Sequence, residues 1–150
     1  MIAAVALGSN LGDRRGHLDY AAARLSTLLG GVRVSAYIET DPVGVADPQP
    51  RYLNAASIGE TTLSARDLLN ALLAIELDRG RERRHANAPR TLDLDLILLG
   101  DLIIDEPDLV IPHPRFRERR FVLEPLAEIA PHLRDPVTGR TVDDLRLLLP

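Results

Sequence analysis

Residues 92–99 read Leu-Asp-Leu-Asp-Leu-Ile-Leu-Leu, and the rest of the chain is interpreted outward from this stretch. It predicts a β-strand, because it is short, mostly apolar and bounded by polar residues. In a strand, residues two apart face the same side, so Asp93 and Asp95 project together while the leucines between them face a core. Aspartate is a poor strand former, so two aspartates in a run of leucine and isoleucine require a reason.

Other elements are predicted before and after this strand. Residues 2–8 form an apolar strand, and a helix follows in which leucine and alanine recur at helical spacing until Gly30-Gly31 ends the pattern. Residues 32–40 and 52–62 read as strands, and residues 64–77 read as a helix that opens on a capping box at residues 64–67. After residue 99 we expect a short hairpin through Gly100-Asp101 to residues 102–104, and a third helix with Pro125 in its first turn.

The order of elements is therefore β-α-β-β-α-β, followed by a C-terminal strand and helix extension. This order predicts an α+β, ferredoxin-like fold, in which an antiparallel sheet carries helices on one face. With 150 residues and 45% hydrophobic content, the chain is long enough for one core. We expect a single domain over residues 1–150.

Composition excludes several kinds of protein. No apolar stretch has the length of a membrane span, and the first strand lacks the basic start of a signal peptide, so we expect a cytoplasmic protein without membrane contact. The chain has no cysteine and no lysine. Disulfides, thiolate nucleophiles, Schiff bases and the P-loop lysine are thereby excluded.

Charge points to a small anionic ligand. The net charge is −4 and the pI is about 5.5, so we expect no nucleic-acid partner. Half of the 18 basic residues nevertheless fall in two short segments on either side of the aspartate pair, at Arg79, Arg81, Arg83, Arg84 and Arg90 and at Arg115, Arg117, Arg119 and Arg120. Phosphate oxygens match the guanidinium fork, and Mg²⁺ prefers carboxylate and phosphate oxygens. Asp93 and Asp95 are therefore predicted to bind metal for chemistry on a nucleotide's phosphates.

Other interpretations remain open from these residues alone. Alternating Asp and Leu is also ordinary amphipathic patterning, and the fold also hosts non-catalytic nucleotide- or RNA-binding modules. A structural Ca²⁺ site on the aspartate pair is a further possibility. His113, between Pro112 and Pro114, could donate to a phosphate, whereas the glycine-containing segment 8–12 matches neither the P-loop nor the Rossmann fingerprint.

Five segments together resemble the 6-hydroxymethyl-7,8-dihydropterin pyrophosphokinase family of folate biosynthesis. The segment Pro-Arg-Thr-Leu-Asp-Leu-Asp-Leu at residues 89–96 is highly specific. The others are Ala-Leu-Gly-Ser-Asn-Leu-Gly at 6–12, Tyr-Leu-Asn-Ala at 52–55, Ile-Glu at 75–76 with Gly-Arg at 80–81, and Pro-His-Pro-Arg at 112–115. The resemblance implies transfer of pyrophosphate from ATP to the pterin's hydroxymethyl group, giving AMP.

The resemblance also implies residue roles. Asp93 and Asp95 would bind two Mg²⁺ ions. The residues implied to contact ATP are Glu76, Arg81, Arg83, Arg90, His113 and Arg119. The residues expected to be catalytic are Arg81, Arg83, Arg90, Asp93 and Asp95. The residues implied to bind the pterin are Thr40, Pro42, Val43, Tyr52, Asn54 and Phe121. Asp108 stands where some members carry an arginine near ATP. We expect ATP and the pterin as small-molecule partners and a monomeric protein.

Overall fold

Five antiparallel strands form the main sheet of the computed structural model, which describes residues 1–41, 50–80 and 91–150. The strands in chain order are β1 (Ile2–Ser9), β2 (Gly30–Val34), β3 (Ile38–Thr40), β4 (Tyr52–Glu60) and β5 (Asp93–Leu99), followed by a separate hairpin of β6 (Ile104–Glu106) and β7 (Leu109–Ile111). β1 and β4 are the central strands. β5 pairs with β1, while β2 and β3 both pair with β4 on its other side.

Four α-helices surround the sheet: α1 (Arg14–Leu28), α2 (Ala65–Asp78), α3 (Arg120–Ile129) and α4 (Val142–Leu148). Polar side chains fix where three of them begin, because the first amides of a helix lack intrahelical acceptors. Asp13, Ser64 and Thr141 accept hydrogen bonds at the starts of α1, α2 and α4. None of the helices in the described part of the chain has the length and apolar character that a membrane span requires.

Alternation along the strands builds two cores, one on each face of the sheet. On one face, Leu7 of β1 and Leu94 of β5 pack with Leu25 of α1 and Leu72 of α2. On the other face, small or branched strand residues pack with α3 and α4 in a second cluster that includes Ala56 and Leu126. The predicted ferredoxin-like order and the antiparallel sheet are confirmed. The two helices of this order, α1 and α2, pack on one face as predicted, and the helices of the C-terminal extension, α3 and α4, cover part of the second face.

Two strand predictions need correction. Residues 32–40 are two strands rather than one, because the strand is interrupted at residues 35–37. There the Ser35 hydroxyl accepts a hydrogen bond from the Ala56 amide and donates one to the Ala36 carbonyl. The predicted hairpin to residues 102–104 is also wrong. The Leu102 amide only closes a turn on Leu99, and the chain forms its hairpin further on, between β6 and β7.

Two helix predictions also need correction. Pro125 lies in the interior of α3 rather than in its first turn, because the helix already begins at Arg120. Proline lacks an amide hydrogen and weakens a helix interior, but Pro125 is buried on the face of α3 that packs on the sheet. At the start of α2, only the Ser64 half of the predicted capping box is present; the reciprocal pair of hydrogen bonds occurs in α4, between Thr141 and Asp144.

Candidate active site

Three neighbouring strands bring Asn54, Gly8 and Asp93 into one row across the second face of the sheet. In the strand register, Gly8 of β1 lies opposite Asn54 of β4 on one side and opposite Asp93 of β5 on the other. Since neighbouring strands are about 4.8 Å apart, the backbones at Asn54 and Asp93 are separated by roughly 10 Å. The row therefore sets an amide and a carboxylate on opposite sides of a residue that has no side chain.

The next row on the same face repeats this arrangement with alanines. Ala6 lies opposite Ala56 of β4 and opposite Asp95 of β5. We use the name trough for the surface floored by Gly8 and Ala6 and bordered by Asn54 on one side and by Asp93 and Asp95 on the other. Its small floor residues leave room for a flat ligand against the sheet.

Glycine at position 8 leaves room for the close approach of the Asn54 side chain. A Cβ atom on Gly8 would lie 3.0 Å from Oδ1 of Asn54 and 3.7 Å from Cδ1 of Tyr52. A contact of 3.0 Å is tighter than nearly all real contacts of a Cβ atom, so an alanine would force Asn54 to move. The side-chain oxygen of Asn54 thus reaches over Gly8 and faces the trough.

Thr40 determines which end of the Asn54 amide faces the trough. Nδ2 of Asn54 donates a hydrogen bond to the Thr40 hydroxyl, across the register pairing of β3 with β4. The amide nitrogen is therefore directed toward β3 and the carbonyl oxygen toward Gly8. Asn54 is 7% exposed, so this orientation is held in a largely closed surrounding. The trough consequently offers an oriented acceptor for a ligand N–H group.

Aromatic residues border the same end of the sheet. Tyr52 lies next to Thr40 in the register and is half-buried. Phe121, at the start of α3, is half-buried and packs against the second core cluster, which Ala6 also contacts. The guanidinium carbon of Arg119 lies 5.5 Å from the centre of the Phe121 ring. Both rings implied by the resemblance therefore lie on the face that carries the trough.

The aspartate pair has the same-face arrangement that the sequence predicts. Asp93 and Asp95 are half-buried, and Leu94 between them points into the first core. Along one strand, their α-carbons are roughly 6.5–7 Å apart. Within the described ranges, no group of three or more His, Cys, Asp or Glu side chains is placed to hold a metal. The two carboxylates offer the hard oxygen ligands that Mg²⁺ prefers, alongside water and phosphate oxygens.

His113 is held as a neutral ring with a defined donor. Its backbone amide donates to the Ile97 carbonyl at 2.9 Å, which fixes it alongside β5. Its Nδ1 accepts a hydrogen bond from the Arg115 amide at 3.1 Å, so the ring hydrogen resides on Nε2. Burial, together with the charges of Arg119 and Arg115, lowers the pKa of His113 to about 4 against the opposing effect of Asp93. Near neutral pH the ring is a hydrogen-bond donor without a positive charge.

Two acidic residues considered in the sequence, Glu76 and Asp108, have protein partners that the sequence did not indicate. Glu76 is 1% exposed, and its Oε2 accepts a hydrogen bond from the Leu94 amide at 2.7 Å. Asp108, in the turn between β6 and β7, accepts a hydrogen bond from Arg66 at 2.8 Å. Arg66 also bonds Glu106, so this guanidinium ties α2 to the hairpin.

The structure brings together part of the predicted site. Adjacent rows of the sheet contain Thr40, Tyr52, Asn54, Asp93 and Asp95. The segment after β7 contains His113, Arg119 and Phe121, and the charges of Asp93 and Arg119 both act on His113. Five further predicted site residues lie outside the described residues: Pro42, Val43, Arg81, Arg83 and Arg90.

The floor of the trough was missed by reasoning from sequence. Gly8 and Ala6 were recognised only as part of the glycine-containing first segment. Their spacing of two residues is a usable signal, because it places both on one face of a strand. Which strand lies on either side could not be read from the chain.

Comparison with known proteins identifies relatives along most of the chain. Residues 4–131 match the family described as 7,8-dihydro-6-hydroxymethylpterin-pyrophosphokinase. A 2-amino-4-hydroxy-6-hydroxymethyldihydropteridine pyrophosphokinase of Pseudomonas aeruginosa is 45% identical over 148 residues, which cover 97% of this chain and 90% of that protein. The protein of the same name in Bacillus subtilis is 42% identical over 144 residues, 95% of this chain and 86% of the relative.

A solved structure shares the fold at low sequence identity. The crystal structure of wild-type HPPK-DHPS from Plasmodium falciparum superposes with a TM-score of 0.74 and 15% identity over 97% of this chain. The present chain spans 44% of that longer protein. At this identity, the likeness concerns the arrangement of strands and helices alone.

Proposed function

The chain belongs to the 7,8-dihydro-6-hydroxymethylpterin-pyrophosphokinase family and is a pyrophosphokinase of folate biosynthesis, and we propose that the trough is where its two substrates meet. The substrates are ATP and 6-hydroxymethyl-7,8-dihydropterin, and the products are AMP and the pterin diphosphate. The observation that carries this assignment is the row of Asn54, Gly8 and Asp93, which sets a group able to recognise a heterocycle opposite a group able to bind metal.

The pterin is proposed to lie over Gly8. Its ring is flat and polar, so it needs a surface without protruding side chains, aromatic contacts and a hydrogen-bonding edge. Gly8 supplies the surface, and Oδ1 of Asn54 supplies an acceptor already oriented by Thr40. Tyr52 and Phe121 supply aromatic surface on the same face. Thr40, Pro42 and Val43 remain proposed contacts of the pterin edge.

Asp93 and Asp95 are proposed to hold two Mg²⁺ ions on the opposite side of the trough. Their shared orientation and their half-buried position support this assignment. Bound magnesium would neutralise phosphate charge and make the pterin hydroxyl easier to deprotonate. The protein's own contribution is to fix Asp93 beside Gly8 and Asp95 beside Ala6, so that the hydroxymethyl arm of the pterin points toward the phosphates of ATP.

Cationic and neutral donors are proposed to bind the phosphates. Arg81, Arg83 and Arg90 have the guanidinium geometry that phosphate oxygens require, and Arg119 lies beside Phe121. His113 would donate its Nε2 hydrogen to a phosphate oxygen, because its Nδ1 is already used by the Arg115 amide. These groups stabilise charge that spreads over the transferred phosphates in the transition state.

The reaction is proposed to be a direct displacement. The pterin hydroxyl oxygen forms a bond to the β-phosphorus of ATP, and the bond from that phosphorus to the oxygen bridging to the α-phosphate breaks. AMP leaves with the bond's electrons, and the hydroxyl proton passes to solvent. Holding the two reactants in line accounts for much of the acceleration, since alignment replaces a bimolecular encounter.

Product analysis tests this function. Purified protein is mixed with Mg-ATP and 6-hydroxymethyl-7,8-dihydropterin, and the nucleotides are separated by chromatography. We expect AMP and a pterin heavier by two phosphate groups. ADP with a pterin monophosphate would refute pyrophosphoryl transfer. A non-catalytic RNA-binding module is not favoured, because the relatives are pyrophosphokinases and the strand beside the trough is acidic. We further propose a monomeric, cytoplasmic protein.

A further inference from the structure

Glu76 is a buried carboxylate that contacts the outer edge of the strand bearing the aspartate pair. It lies in the last turns of α2, on the side of the sheet opposite the trough, and is 1% exposed. Its Oε2 accepts a hydrogen bond from the Leu94 amide at 2.7 Å. Leu94 separates Asp93 from Asp95, so this contact reaches the backbone between the two proposed metal ligands.

The position of β5 in the sheet explains why this contact matters. β5 pairs with β1 and with no other strand among the described residues, so the amides on its outer side need partners from elsewhere. The Leu94 amide belongs to the same rigid peptide plane as the Asp93 carbonyl. A carboxylate oxygen that accepts this hydrogen bond at 2.7 Å therefore fixes the orientation of the residue that begins β5.

The two aspartates lie at different positions in the ladder between β1 and β5. Asp95 lies inside the paired region, opposite Ala6, with further paired residues on either side. Asp93 forms the last register pair, with Gly8, at the end of the ladder. Strand ends loosen more readily than strand interiors, so the position of Asp93 depends more strongly on a second support.

We propose that Glu76 is a positioning residue, which holds Asp93 in line with Asp95 by anchoring the Leu94 amide. This inference rests on the proposed metal-binding role of the aspartate pair. It gives Glu76 a role other than the expected contact with ATP, because one oxygen of its carboxylate is bound to the strand backbone. The useful property of Glu76 is an acceptor at the correct distance rather than a negative charge near the nucleotide.

Two conservative variants separate these properties. Glu76→Gln keeps a carbonyl oxygen at the same reach and removes the charge. Glu76→Asp keeps the charge and withdraws the acceptor by one methylene, about 1.5 Å. If Glu76 positions the strand, the Glu76→Gln protein keeps its Mn²⁺ affinity and the Glu76→Asp protein loses affinity. If Glu76 acts through its charge on a ligand, the order is reversed. Leu72→Ala is the matched control, because Leu72 is equally buried in the same helix and packs in the core.

The readouts are binding and spectroscopy rather than turnover. Binding of Mn²⁺ together with the non-hydrolysable analogue α,β-methylene-ATP is measured by electron paramagnetic resonance, and the Leu94 amide is followed by ¹⁵N-edited NMR. For Glu76→Asp we expect Mn²⁺ affinity to fall by roughly 10- to 100-fold, with faster hydrogen exchange at Leu94. For Glu76→Gln and Leu72→Ala we expect affinity within about 3-fold of wild type, although Leu72→Ala lowers the melting temperature.

Each outcome bears on the inference. Unchanged Mn²⁺ affinity in Glu76→Asp would overturn it, and so would a larger loss in Glu76→Gln than in Glu76→Asp. A loss in Leu72→Ala as large as that in Glu76→Asp would overturn it too, because general destabilisation would then be the cause. A wild-type protein that holds neither Mn²⁺ nor nucleotide would remove the proposed function and this inference with it. Wild-type binding with an unaffected Glu76→Asp protein removes the inference alone.

Discussion

Replacing Gly8 by alanine tests the trough at its centre. The added Cβ would lie 3.0 Å from Oδ1 of Asn54, whereas ordinary contacts begin at 3.4 Å, so the two groups must separate by about 3.4 − 3.0 = 0.4 Å. Nδ2 of Asn54 is bonded to the Thr40 hydroxyl, so the amide cannot move away without weakening that contact. The methyl group also occupies the floor on which the pterin is proposed to lie.

The expected effect is a selective loss of pterin binding. A displaced or misaligned hydrogen bond costs about 1–3 kcal/mol, which corresponds to roughly 5- to 150-fold in the dissociation constant. Folding stability should change by no more than about 1 kcal/mol, because the backbone at Gly8 does not require a left-handed conformation. Binding of α,β-methylene-ATP with Mg²⁺ should stay within about 3-fold of wild type, since Asp93 and Asp95 are untouched.

Calorimetric titration of the pterin into the protein with Mg²⁺ and α,β-methylene-ATP measures this effect. Gly30→Ala is the matched control, because a Cβ there meets only ordinary contacts with Glu60, at 3.8 Å and 3.9 Å, in a strand remote from the trough. We expect weak pterin binding in Gly8→Ala and normal binding in Gly30→Ala. Normal binding in Gly8→Ala would refute the placement of the pterin over Gly8.

Three other predictions concern metal, pH and stability. Asp95→Asn should lower AMP formation by at least about 100-fold at any Mg²⁺ concentration with little change in melting temperature, and near-normal activity would contradict the metal role. NMR titration should give His113 a pKa near 4. Because the ring in the unfolded chain takes up its proton first, near pH 6.5, the protonation of His113 should lower folding stability between pH 6.5 and 4, by at most about 3 kcal/mol. A measured pKa of 6 or above would contradict the assignment. Arg117→Met removes hydrogen bonds of 2.5 Å and 2.9 Å from the fully buried Asp135 and should lower the free energy of unfolding in urea by about 3 kcal/mol. Arg115→Met, which loses an exposed ion pair, should have little effect on that free energy. Equal effects of the two variants would show that the burial of Asp135 is unimportant.

The aspartate strand could be predicted because its information is local. Strand periodicity is two residues, so the alternation of Asp and Leu in residues 92–99 was enough to place Asp93 and Asp95 on one face. The same kind of local pattern identified β1, α2 and β4 within a few residues of their observed bounds. In these cases the position of the element depended on its own residues and its buried face, so the sequence pattern predicted it correctly.

Features that depend on contacts between distant segments could not be predicted. The pairing of Gly8 with both Asn54 and Asp93 joins three strands from separate parts of the chain. A register shift of one residue in a strand would place each of its side chains on the opposite face of the sheet. The hydrogen bond from Leu94 to Glu76 likewise joins β5 to a helix 18 residues earlier. The prediction that Pro125 lies in the first turn of α3 was wrong, because burial of α3 on the sheet outweighs the local preference of proline for a first turn.

Counting the manganese ions held by the aspartate pair tests the central claim most directly. Electron paramagnetic resonance of Mn²⁺ is recorded with protein, α,β-methylene-ATP and the pterin, for wild type, for the double variant Asp93→Asn with Asp95→Asn, and for Asp101→Asn, an exposed turn aspartate, as control. We predict two ions per chain in wild type and in the control, and loss of this bound manganese in the double variant. A double variant that holds as many ions as wild type would contradict the assignment of Asp93 and Asp95 as the metal ligands.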